Sequence, residues 1–81
     1  MAQIQQITAS DQSDLERVRD SFAQITETII AQAAQEVERL RAMNDREKMV
    51  KEQIKMNTVQ TVRGVFNHCY LQITGRRAWD E

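Results

Sequence analysis

Proline is absent from the 81-residue chain, and glycine occurs only twice, at Gly64 and Gly75. These residues are the strongest local breaks in a sequence, and the tight turns of small sheet domains depend on them. Between Ser10 and Arg63 only Asn44-Asp45 interrupts the chain, which therefore reads as almost wholly helical. A single cysteine, Cys69, excludes an internal disulfide and with it a disulfide-stapled scaffold. No apolar run approaches the length of a membrane span, and no signal-peptide pattern opens the chain. A reducing cytoplasm is the expected compartment, with no membrane partner. The net charge of −1 lacks the basic excess that a general polyanion binder needs.

Catalytic chemistry is equally scarce. The one histidine, His68, precedes the one cysteine, and neighbours on a helix point about 100° apart. They cannot form a nucleophile–base pair within one chain. Around His68, the positions three and four residues away hold Gly64, Val65, Leu71 and Gln72, so no metal-ligand cluster exists there. No glycine-rich phosphate loop is present either. The reading is of a protein that is not an enzyme, with no catalytic, metal or cofactor site. Lys48, Lys51 and Lys55 share a helix face, but Glu47 and Glu52 interleave with them. Without an aromatic stacking platform or helix-turn-helix spacing, this pattern argues against nucleic acid as a partner.

What the chain does contain is heptad spacing. One apolar series runs Leu15, Val18, Phe22, Ile25, Ile29 and then slips through Ala33, Val37 and Leu40. A second runs Val59, Val62, Phe66, Cys69, Ile73, with Val50 and Ile54 leading into it. Read as the two sides of one seam, these series make Cys69 a small buried hydrophobe. Ser13-Asp14-Leu15-Glu16 matches a capping box at the start of the first series. Gly75 stands where a left-handed helix cap is expected at the end of the second.

Asn44 suits a left-handed C-terminal cap and Asp45 an N-cap, so the two helices are expected to meet in a tight turn. Charge supports this. Each half begins with acidic residues and ends with arginines, the polarity that one helix dipole selects. A continuous helix gives no reason to repeat that gradient. Folding back at Asn44 sets residue i opposite 88 − i, so that Phe22 meets Phe66, Leu15 meets Ile73 and Val18 meets Tyr70. Residues 1–43 carry a net −3 and residues 44–81 a net +2, which favours pairing of the halves.

The expected fold is all-α: an antiparallel two-helix hairpin, about 14–43 and 45–75, pairing into a four-helix-bundle homodimer. A single long coiled-coil helix is the alternative. Residues 1–10 are expected as a flexible N-terminal tail, 11–75 as the helical hairpin domain and 76–81 as a C-terminal tail. On the flanks, the acidic–basic spacings Asp14–Arg17, Glu16–Arg19, Glu36–Arg39, Glu38–Arg41, Glu47–Lys51 and Glu52–Lys55 read as solvated ion pairs. Asn57, Thr58 and Thr61 interrupt the apolar face of the second helix, and Gly64 suggests a close packing contact.

Two features point outward. Ile30, Met56, Val65 and Leu71 lie beyond the two apolar series, and burying such side chains favours association. The tail carries Arg76, Arg77 and Trp79; tryptophan and arginine are enriched at interaction hot spots. Trp79 is therefore either a docking residue or folded back over Ile4 and Ile7. The expected function is a helical protein–protein interaction module, an adaptor, assembly factor or regulator that binds itself and another protein. The alternatives are a structural subunit of a larger helical assembly, such as a secretion apparatus or virus, and a small nucleic-acid-binding regulator.

Overall fold

A computed structural model describes residues 9–80 of the chain, with side chains from residue 14. Two helices, α1 (Ala9–Ala42) and α2 (Arg46–Thr74), pack against each other as an antiparallel hairpin. The long axis measures 60 Å, far short of a continuous helix of this length, which would approach 95 Å at about 1.5 Å per residue. α1 starts at Ala9, so Ser13 lies inside the helix and not at its cap. Ala9 and Ser10, placed by sequence in the tail, are helical, and the rest of that tail lies outside the described residues.

The turn forms as its two central residues dictate. Asn44 adopts φ 60°, and asparagine is among the few non-glycine residues that tolerate that region. Its N–H donates to the Arg41 carbonyl at 3.0 Å, and the Asp45 N–H donates to the Leu40 carbonyl at 2.9 Å. This Schellman pattern satisfies two carbonyls that the end of α1 leaves without partners. Asp45 then caps α2, its side chain accepting from the Lys48 N–H at 3.3 Å. At the far end, Gly75 takes φ 77° and donates to the Leu71 carbonyl at 2.8 Å, closing α2 with a left-handed cap.

The seam follows a coiled-coil alternation. On α1 the positions a and d are Leu15, Arg19, Phe22, Thr26, Ile29, Ala33, Glu36 and Leu40; all are buried or half-buried. On α2 they are Met49, Glu52, Met56, Val59, Arg63, Phe66, Tyr70 and Ile73; all are buried or half-buried except Ile73, which is 70% exposed at the end of the helix. The expected register holds: Phe22 and Phe66 stack with centroids 4.4 Å apart. Arg63 reaches Ala23 and Thr26, and Arg19 lies over Tyr70, one residue from the anticipated Val18.

The seam is narrower and more polar than the apolar spacing implied. Val18 and Ile25 are 56% and 57% exposed, and Cys69 is also exposed. The physical reason is rotation: Arg19, Thr26 and Arg63 occupy the a positions, which turns Val18, Ile25, Val62 and Cys69 to the flanking g positions. Asn57, Thr58 and Thr61 are exposed and lie outside the seam. A Cβ on Gly64 would meet nothing within 4 Å, so no close approach within the hairpin accounts for that glycine.

Five of the six flank pairs form, including Asp14–Arg17 at 3.6 Å, Glu38–Arg41 at 2.6 Å and Glu52–Lys55 at 3.3 Å. Arg19 turns instead to Asp20 at 2.9 Å and to the Tyr70 ring. The hydrogen bond from Arg39 holds the Glu36 carboxyl below its usual range.

Candidate interaction surface

The aromatic side chains gather at the open end of the hairpin, opposite the turn. Phe66 stacks on Phe22, and the Trp79 ring lies 5.3 Å from Phe66 and 6.1 Å from Phe22, within 10° of parallel to both. Tyr70 extends the group, with its centroid 6.2 Å from that of Phe66. Such offset stacking contributes about 0.5–1.5 kcal/mol per pair beyond area burial.

The C-terminal tail is held there by polar contacts as well. The Ala78 N–H donates to Asn67 Oδ1 at 2.7 Å, and Asn67 Nδ2 donates to the Trp79 carbonyl at 3.1 Å. The Arg63 guanidinium lies 4.7 Å from the centroid of the Trp79 ring. It donates to the Ala23 carbonyl at 3.2 Å and to Thr26 Oγ1, with Glu27 3.8 Å away. Thr26 in turn donates to the Phe22 carbonyl at 2.7 Å. The charge of Arg63 is thus buried with hydrogen-bond partners and an aromatic face. No buried side-chain polar atom among the described residues lacks a partner.

Trp79 is therefore folded back, over Phe22 and Phe66; Ile4 and Ile7, the residues the sequence places beneath it, lie outside the described residues. Its anchor Asn67 occupies the e position of α2, so the tail covers the e flank of the hairpin. Among the described residues the g flank is left open. Reversing one helix against another sets g beside g, and the structure shows this directly. Leu15 and Val18 of α1 share an apolar cleft of about 100 Å³ with Phe66, Cys69, Tyr70 and Ile73 of α2. Beside it, Asp14, Arg17, Val18, Ser21, Phe22 and Ile25 line an open, shallow face of α1.

The residues singled out by sequence divide between these flanks. Val65, 58% exposed, adjoins the open g flank. Leu71 and Arg77 line a small cleft on the tail side with Gly64, Asn67 and His68. Met56 is half-buried at an a position of the seam, Ile30 is half-buried on the e flank, and Arg76 is exposed. Sequence reasoning missed Asn67 and Arg63 as anchors of the tail. Neither residue carries a distinctive spacing in the sequence that marks it as an anchor.

Among the described residues no group of acidic, histidine or cysteine side chains is placed to hold a metal ion. None of the described helices is long and apolar enough to cross a membrane. No family model, no curated protein and no solved structure matches the chain.

Proposed function

We propose that the chain is a helical protein–protein interaction module, working as an adaptor, assembly factor or regulator through the open g flank. One observation carries this reading. The strongest apolar stripe of each helix consists of d and g positions, and the hairpin seam consists of a and d. The stripe therefore points between the partner helix and a side where none of the described helices stands. Helices that face a bundle core carry apolar residues at g or e beyond the a and d seam, whereas a self-sufficient pair needs only a and d.

Charge supports binding to protein over binding to polyanions. Lys48, Lys51 and Lys55 each lie within 3.9 Å of a carboxylate on the same chain, which offsets the basic face they would form. An exposed lone thiol at Cys69 is compatible with a reducing cytoplasm, the compartment this reading proposes.

Light scattering with in-line small-angle X-ray scattering, across a concentration series, tests the reading. A module gives a mass that levels off, because closed association saturates. Mass that keeps rising with concentration would replace it with a filament subunit. Binding to duplex DNA that weakens steeply with salt would replace it with a nucleic-acid regulator.

A further inference from the structure

We infer that the occupant of the open g flank is a second copy of this chain, held by Val18, Ile25, Val62 and Cys69 around a two-fold axis. The inference rests on the interaction reading above and adds the identity of the partner.

Three observations favour self-association. The first is that the patch is its own counterpart. Its apolar series spans the same fifteen positions on each helix, 15–29 on α1 and 59–73 on α2. In the hairpin register these segments lie side by side, with Val18 close to the level of Cys69 and Ile25 close to that of Val62. A two-fold rotation lays apolar rows on apolar rows of equal length, as an isologous interface requires.

The second observation is the charge at the rim. Beside the g rows, the c positions hold Asp14, Ser21 and Thr28 on α1, and Thr58, Val65 and Gln72 on α2. The single charge in this set, Asp14, is already paired with Arg17 at 3.6 Å. A foreign partner is usually selected by rim charge of the opposite sign. A neutral rim meets its own image without like charges in opposition.

The third is exposure and room. Val18, Ile25, Val62 and Ile73 are 46–70% exposed in the single hairpin, along one flank. The fifteen-residue rows run about 22 Å along the hairpin at about 1.5 Å per residue, across a face 21 Å wide. The opposite flank is already occupied by the tail, so the open flank is where a second hairpin completes a four-helix bundle.

Cys69 supplies a native reporter, because its thiol is exposed in the hairpin and buried in the dimer. The experiment measures the mass of the full chain by sedimentation equilibrium and, at the same concentrations, the alkylation rate of Cys69 by iodoacetamide. The expected result is twice the chain mass, with alkylation slowed about tenfold or more relative to the chain in urea. Ile25→Asp should return a monomer with fast alkylation and unchanged helicity by circular dichroism. Val62→Asp, on the other helix, should do the same. A dimer that keeps fast alkylation and survives both substitutions overturns the inference, because the copies then meet elsewhere. A monomer with fast alkylation also overturns it, while leaving the flank free for a different protein. A monomer with slow alkylation overturns both the inference and the interaction reading, since the chain then covers this flank itself.

Discussion

The guanidinium of Arg63 lies 4.7 Å from the ring centroid of Trp79, sixteen residues further along the chain. This contact ties the C-terminal tail to a buried arginine on the seam and, through it, to α1. The guanidinium meets the ring on one side and the α1 groups Ala23 and Thr26 through its N–H donors. One residue therefore joins three segments of the chain at the open end. That end is far from the covalent turn, and a bare hairpin frays there first.

Removal of the ring tests this arrangement. Trp79→Ala deletes a half-buried indole that stacks on Phe66 and faces Arg63. We expect a loss of about 2 kcal/mol, below the value for a fully buried tryptophan because part of the ring is wet. Thermal melts monitored by circular dichroism check the value. An unchanged melting temperature would show that the tail contributes nothing to the fold.

Arg63 separates hydrogen bonding from ion pairing. Glu27 is 68% exposed at the side chain and 3.8 Å away, so Glu27→Gln should change stability by less than about 0.5 kcal/mol. Arg63→Ala removes the buried donors and the stacking surface, and should cost about 2–3 kcal/mol. Arg63→Lys keeps the charge but loses the planar fork, and should fall between the two. Urea unfolding of the three variants gives the order. A cost for Glu27→Gln equal to that for Arg63→Ala would place the energy in the ion pair.

Much of this arrangement was legible in the sequence, and the part that was not has a definite cause. Asn44 and Asp45 announce the turn because few residue pairs supply a left-handed cap and an N-cap in succession. The register follows from the turn alone, which is why the sequence already pairs Phe22 with Phe66. Apolar spacing places the seam one position off, because apolarity is not the only guide to burial here. Arg19, Thr26 and Arg63 look like surface residues, yet their stems and hydroxyl pack while their polar ends find partners. That substitution moves Val18, Ile25, Val62 and Cys69 outward. The tail was legible only as a choice for Trp79, because its anchor Asn67 has no distinctive spacing.

Phe22 and Phe66 should behave as a unit. Each ring is half-buried, and they stack on each other at 4.4 Å. Phe22→Ala and Phe66→Ala should each cost about 2–4 kcal/mol, toward the lower part of the range for core aromatics. The double variant should cost less than the sum by about 0.5–1.5 kcal/mol, the energy of the stacking pair counted twice in the single variants. A double-mutant cycle in urea supplies the coupling. Strict additivity would mean that each ring packs mainly against other groups.

The two glycines should respond in opposite directions to the same substitution. Gly75 adopts φ 77°, where a Cβ crowds the backbone, so Gly75→Ala should cost about 1 kcal/mol. Gly64 lies inside α2 with open space around its would-be Cβ. There alanine removes the backbone-entropy penalty of glycine in a helix, and Gly64→Ala should stabilise the hairpin by about 1 kcal/mol. The reason is visible in the denatured chain as much as in the native one, since alanine has fewer states to lose on folding. Paired thermal melts of the two variants settle both signs. If Gly64→Ala instead lowers the melting temperature, and does so only at concentrations where the chain associates, a second molecule packs against that position. The small residue would then serve the association of helices and not the hairpin.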